Sequence, residues 1–466
     1  MSDPLHNEFA PDSIEARSLR YLINPNSNLA DVKRRGPNVH VRAEGVYLWD
    51  NQGKQYIEGL AGLWCTALGY GVKELGEVAK QQIEKLAYSQ LFTGITNEPS
   101  VQLAEMLMNT VPIDAGRVFF GLSGSDANDT QVKLQWHYSN LIGRPERKKI
   151  ISRWNAYHGV TVVSGSLTGL PPFHKNFDLP IDRVKHTNSP FYYHEANEGE
   201  TEDEFTTRLA NNLEDLIDEE GPETVAAFIA EPILGAGGVI VPPDGYYEKI
   251  QRVLTKYHIH FIADEVINGF GRTGNPFGCQ TMGIDPTTIS VAKALSSAYL
   301  PISAVIIPEF MYDVFETATE ESKMFGHGFT YSGHPVSAAV AVRNLELMEE
   351  RGIYDHVRKI APVFQERLRS FENHPLVGNV RGEGLLGAIE LVKNKETRES
   401  FDAKHAVGVH CMDRCRSHGL ISRAVAGDSL AFCPPLIITV DQIDEMFSKF
   451  EKALEDTLKY VSALDD

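Results

Sequence analysis

A chain of 466 residues is too long for one compact core, and 42% hydrophobic with 23% charged side chains is an ordinary globular balance. A formal net charge of −19 argues against nucleic acid or an anionic membrane as the main partner. Apolar runs are all shorter than the roughly 18 residues a membrane span needs. The start, Met1 to Glu8, lacks the basic, then apolar pattern of a secretion signal. Cys65, Cys279, Cys411, Cys415 and Cys433 are scattered and odd in number, which predicts reduced thiols and a cytoplasmic location.

In chain order, the first 40 residues read as polar and loop-rich, with a short apolar patch at Tyr21-Leu22-Ile23. Arg42 to Ile57 alternates around the turn residues Asn51 to Gly53 and predicts a hairpin. Residues 72–88 predict a helix. From Val118 to Pro308 short apolar runs alternate with helical stretches. Arg117–Phe120, Ala226–Ala230, Phe261–Asp264 and Ala304–Ile307 are candidate strands, with Tyr246, Ile250 and Leu254 on a helix between the second and third. This alternation predicts an α/β fold with a largely parallel sheet. After about residue 335 a helix-rich stretch precedes strands at Gly387–Val392 and Leu420–Ala424. A closing amphipathic helix carries Ile443, Phe447, Phe450, Leu454 and Leu458, capped by Thr439 with Gln442. The expected organisation is an N-terminal segment (1–65) packing with the small domain, a large α/β domain (66–334) and a small C-terminal α+β domain (335–466).

Two apolar runs end in charge. One reads His260-Phe-Ile-Ala-Asp264-Glu265, the other Thr288-Ile-Ser-Val-Ala-Lys293-Ala-Leu. A buried lysine and a buried carboxylate are costly unless they are paired or put to use. Desolvation lowers a lysine's pKa and makes it nucleophilic, and an aspartate can keep a pyridine nitrogen protonated. These are the protein groups that pyridoxal-5′-phosphate (PLP) chemistry requires. Asp264 and Glu265 must face opposite sides of a strand, so only one meets a ligand, and Asp264 is the better placed. Glu231 ends another apolar run and either shares that pocket or sits solvated at the strand end. Ser123-Gly124-Ser125 runs from strand into helix, where free N–H groups suit a phosphate, although an ordinary helix cap reads the same way. Gly326 to His334 is a second glycine- and hydroxyl-rich candidate, equally readable as a turn. Tyr157, in Trp154-Asn-Ala-Tyr157-His158-Gly159, is either a ring-stacking aromatic or a core residue.

With these stretches the sequence closely resembles the class III, or omega, aminotransferases, which are fold-type I PLP enzymes. Its most specific parts are Ala263-Asp264-Glu265-Val266 through Gly274 followed by Ser290-Val-Ala-Lys293. Ala61–Cys65, Trp154–Gly159, Gly235–Pro243 and His327–Pro335 add to it. The resemblance implies a large, mostly parallel sheet domain of the seven-stranded type and a smaller α+β domain. It implies that Lys293 joins the cofactor's aldehyde and then carries the proton, while Asp264 pairs with the pyridinium. Tyr157 and Val266 would flank the ring, with His158 and Glu231 beside it. Ser123, Gly124 and Ser125 would hold the phosphate, completed by Phe329 and Thr330 from a neighbouring subunit. Trp64, Tyr157 and Arg423 would line the substrate pocket, with Arg423 clamping the acceptor's carboxylate. The branch it resembles passes an amino group from an amine or omega-amino acid to pyruvate by a ping-pong route, as a homodimer with shared sites or a tetramer. No metal, nucleic acid or membrane is implied. An aminomutase, a decarboxylase, a 2-oxoglutarate-preferring aminotransferase and an inactive binding protein are the alternatives.

Overall fold

The computed structural model describes residues 9–464. Strands β1 (His40–Glu44), β2 (Tyr47–Asp50) and β3 (Gln55–Glu58) form an antiparallel meander. The sequence predicts one hairpin here. A second turn at Gly45, with φ of +58°, splits its first arm in two. The polar N-terminus is also more regular than expected: Ser13 and Asn28 cap short helices Ile14–Tyr21 and Leu29–Arg35. Their few turns carry too little apolar periodicity to stand out in sequence.

The central sheet is built from β4 (Ala115–Gly121), β5 (Lys149–Arg153), β6 (Val184–Thr187), β7 (Val225–Ala230), β8 (His260–Asp264), β9 (Thr288–Val291) and β10 (Ser303–Pro308). Its seven strands run in the order β4-β10-β9-β8-β7-β5-β6. β10 is antiparallel to both neighbours, and the remaining pairs are parallel. Every residue of β7, β9 and β10 is buried, as the unbroken apolar runs require of strands covered on both faces. Helix Tyr246–Lys256 crosses from β7 to β8 and buries Tyr246, Ile250 and Leu254, as their spacing predicts.

A third sheet contains β11 (Val377–Glu383) and β12 (Leu386–Leu391). The single strand expected over Leu420–Ala424 breaks at Ser422 into β13 (Leu420–Ile421) and β14 (Arg423–Val425), and β15 (Ser429–Phe432) follows. β13 pairs in parallel with β3, placing Leu420 opposite Ile57, whereas β14 joins the order β11-β12-β15-β14. The first sixty residues are thereby stitched to the last fifty. Helix Pro335–Glu350 packs against helices Lys73–Leu86 and Glu98–Thr110, and Arg272 reaches across to the carbonyls of Leu385 (3.2 Å) and Pro434 (2.6 Å). The closing helix, Val440–Ser462, has the expected Thr439–Gln442 capping box and buries Ile443, Phe447, Phe450 and Leu454. Cys411 and Cys415 lie buried on helix Val407–Ser417, and no metal-binding group occurs among the described residues.

Candidate active site

The parallel strands end together, and two of those ends carry the charged pair. Asp264, the last residue of β8, pairs with Ser290 of β9, so Lys293 emerges just past the neighbouring strand end. Lys293 opens a short 3-10 turn with φ of +49°, a conformation costing a non-glycine residue about 1 kcal/mol. Among the described residues no side chain hydrogen-bonds or ion-pairs with its Nζ, which lies 6.0 Å from the centroid of the Trp64 ring. Burial pushes the amine below the ordinary lysine value, and Cys65, Asp264 and Glu231 pull it back only in part. The result is an amine that loses its proton, and so becomes nucleophilic, more readily than an exposed lysine.

Asp264 is fixed from one side. Its Oδ2 accepts from Asn128 Nδ2 (2.7 Å) and is 2.7 Å from His158 Nδ1, while Oδ1 accepts from the Val266 N–H at 3.1 Å. Oδ1 therefore keeps acceptor capacity for a ring N–H. Glu265 faces away, as the alternation of a strand demands. It is fully buried, accepts from the N–H groups of Gly278 (2.9 Å) and Cys279 (2.6 Å), and is pushed up to about 7 by burial. Glu231 belongs to the pocket: its carboxylate accepts from Tyr157 N–H and Gly235 N–H, each at 2.8 Å.

Helix Gly124–Leu141 starts where β4 ends. Ser123 is its cap, its Oγ accepting from Asp126 N–H while Asp126 accepts from Ser123 N–H. The Ser123 hydroxyl is thus engaged in capping, and the N–H groups of Gly124 and Ser125 are the free anion-binding donors of the first turn. Ser125 Oγ accepts from Val160 N–H at 3.2 Å and keeps its own hydrogen to donate. Gly124 is required for close approach, because a Cβ there would lie 2.9 Å from Val266 Cγ1. One short segment laces these walls together: Tyr157 binds Glu231, His158 binds Asp264, and Gly159 and Val160 abut Ser125. Tyr157 is half-buried with Phe173 edge-on at 5.5 Å, and Arg423 acts electrostatically on its hydroxyl.

Trp64 is buried in a strained turn, with left-handed backbone at Ala61, Gly62 and Trp64, and it walls the pocket against Ile267 and Gly235. Arg423 is half-buried, and its side chain has no hydrogen bond or ion pair among the described residues. Phe329 and Thr330 are not brought to the phosphate turn of their own chain. Phe329 packs on Phe119 and His327, and the exposed Thr330 offers its carbonyl to Tyr88 Oη at 2.7 Å. Sequence reasoning missed Asn128, which anchors Asp264. Its only signal was its place one helical turn after Gly124.

A family profile described as aminotransferase class-III matches residues 31–454. This chain belongs to that family. Its relatives include a gamma aminobutyrate transaminase 3, chloroplastic, of Solanum lycopersicum, 49% identical over 92% of this chain and 82% of that one. A vanillin aminotransferase of Capsicum annuum is 48% identical over 92% and 93%. Among solved structures, the omega transaminase of Pseudomonas jessenii in complex with PMP superposes with a TM-score of 0.95 at 45% identity, covering 97% of this chain and 99% of that one. The cofactor of a class-III aminotransferase is PLP, and the pocket fits it. The aminotransferase presents an unpartnered amine, a carboxylate oxygen with spare acceptor capacity and a helix start lined by glycine and serine. Those are the partners of an aldehyde, a pyridine nitrogen and a phosphate. On the two side chains that hold the Asp264 carboxylate, His158 Nε2 and Asn128 Oδ1 are buried and have no hydrogen-bond partner among the described residues.

Proposed function

We propose that this aminotransferase moves an amino group from a primary amine or an omega-amino acid to pyruvate, releasing alanine, in two half-reactions of a ping-pong cycle. The observation that carries the reading is the unpaired, pKa-depressed Lys293 next to the strand end bearing Asp264. PLP supplies the electron sink. Lys293 would hold the cofactor's aldehyde end and, once released, would move the proton at the substrate carbon. Asp264, steadied by Asn128 and His158, keeps the pyridine nitrogen protonated. Tyr157 and Val266 hold the ring between them, and Glu231 keeps Tyr157 in place. Gly124 and Ser125, with Ser123 capping the helix, bind the phosphate. Trp64 limits the amine's side chain. Arg423 receives the acceptor's carboxylate, and one guanidinium suits an acceptor with one carboxylate.

Thr330 and Phe329 serve the phosphate of a second copy in a homodimer. Tyr88, Phe92, Met324 and Tyr331 are exposed close to Thr330, and such a cluster favours burial against another subunit. No helix of the described residues is long and apolar enough to cross a membrane, and the described cysteines are free thiols, which supports a reducing compartment. We propose the cytoplasm, with an organelle as the alternative suggested by relatives named chloroplastic and mitochondrial. The relatives' names also favour a second reading, with 4-aminobutyrate as donor, whose carboxylate would use Arg423 in alternation with the acceptor.

An amine-donor panel with pyruvate and 2-oxoglutarate in competition tests this reading. Alanine should accumulate, with parallel reciprocal plots. Glutamate as the dominant product would overturn the choice of acceptor, and intersecting plots the cycle. Lys293→Ala should abolish turnover and the absorbance of lysine-bound cofactor, and retained turnover would refute the assignment.

A further inference from the structure

Arg423 leads a hairpin whose tip is Ala426–Asp428 and whose return strand is β15. Nothing among the described residues holds the Arg423 side chain, so its aim depends on the hairpin. The hairpin is held from behind by Arg381. This side chain starts on β11, at the far edge of the sheet, and crosses β12 to reach β15. Its Nη1 donates to Glu390 Oε2 (2.7 Å) and Asn379 Oδ1 (2.9 Å), and its Nη2 donates to Ser429 Oγ (2.9 Å). Its Nε donates to the Gly238 carbonyl at 2.7 Å. The guanidinium thus touches the tip end of the hairpin, where Ser429 pairs with Val425, and the loop that follows Glu231 at once.

Other contacts close the same knot. Phe191 lies beneath the guanidinium at 4.4 Å, and the other oxygen of Glu390 meets His194 Nε2. Gly427 and Gly238 are both left-handed. A Cβ at Gly427 would stand 3.4 Å from Glu390 Oε1, and one at Gly238 would stand 3.0 Å from Arg381 Nη2. At the other end of that loop, Gly235 N–H binds Glu231, and a Cβ at Gly235 would strike Trp64. Glu390 is 1% exposed and Arg381 9%, so the pair is paid for in desolvation and is weak evidence for stability alone. A fork with donors on all three nitrogens suits joining four acceptors spread over three strands and a loop; a lysine offers one point charge instead.

We infer that Arg381 is a positioning residue for Arg423, tying the hairpin to the Gly235–Gly238 loop so that the free guanidinium of Arg423 is delivered to the acceptor's carboxylate. The inference rests on the proposed role of Arg423. The test compares pyruvate with an aromatic aldehyde, an acceptor lacking a carboxylate, in the holoenzyme with one amine donor. Arg381→Lys should raise the KM for pyruvate about tenfold, as for a displaced charge-assisted contact, and leave the aldehyde's KM within about twofold. The absorbance of the bound cofactor should not change. An equal loss for both acceptors, or none for either, overturns the inference. Should Arg381→Lys fail to fold, Ser429→Ala carries the test: it removes one acceptor next to the hairpin's tip, and an unmoved pyruvate KM again overturns the inference. Arg423→Ala, run alongside, separates the two levels. A pyruvate KM indifferent to Arg423→Ala refutes the role of Arg423 itself, whereas a rise there with none in Arg381→Lys refutes only the positioning.

Discussion

Glu58, at the end of β3, is 1% exposed and makes no ion pair among the described residues. Its carboxyl accepts from Leu60 N–H (3.0 Å) and Tyr70 Oη (3.2 Å), so it braces the left-handed turn that sets Trp64. Burial pushes it up to about 7 from an ordinary 4.5. A folded-state pKa above the unfolded one gives a contribution that is full below the unfolded value and lost as pH rises through the folded value. Glu58→Gln keeps an acceptor for Leu60 and offers its amide to Tyr70, but cannot ionise. The unfolding free energy of the wild type, measured by denaturant titration, should therefore fall relative to Glu58→Gln between about pH 5 and about pH 8, by on the order of 3 kcal/mol. Identical pH profiles would show that this carboxyl is already ionised at no cost. Residues differ in how far sequence reveals them. Asp264 and Lys293 stand out because each ends an apolar run that leaves little water for a charge. Asn128 and Arg381 do not, because Asn128 meets a strand 136 residues on and Arg381 joins Gly238 to Ser429, both far from it in sequence, and neither lies beside such a run.

The strand-to-helix junctions are the elements on which cofactor binding turns. Gly159 has φ of +138°, and a Cβ there would lie 2.4 Å from Ser164 Oγ and 2.5 Å from Ser125 Oγ. Gly159→Ala should therefore push Ser125 off the phosphate turn and weaken PLP binding to the apo-protein about tenfold, on top of about 1–2 kcal/mol of backbone strain. Fluorescence titration of the apo-protein would measure it, and an unchanged dissociation constant would free Ser125 from any part in holding phosphate. Among the elements, β7 and β10 were legible because nearly all their residues are apolar and all are buried, and β4 and β8 because each carries a short apolar run. β6 (Val-Lys-His-Thr) and β11, half-buried along most of its length, lack that contrast. The split between β13 and β14 is also hidden, since a continuous β-like stretch carries no sign that Ser422 marks a change of sheet.

At the scale of the whole molecule, exposed Thr330 and the aromatic cluster around it predict a dimer that dissociates poorly on dilution. Sedimentation at micromolar concentration should give twice the chain mass, and Thr330→Ala should weaken cofactor retention without altering that mass. A monomer that keeps its PLP would contradict the shared phosphate site. The general plan, a mostly parallel sheet with charged strand ends, followed from local patterns. The partnership between the chain's two ends did not, because nothing near Ile57 announces Leu420. That pairing has a consequence for biosynthesis. As the protein emerges from the ribosome, β3 has an open edge until nearly the entire polypeptide has been made. A nascent chain halted before Leu420 should carry that edge uncovered, and chaperones that shield unpaired strands would be needed until Leu420 has emerged.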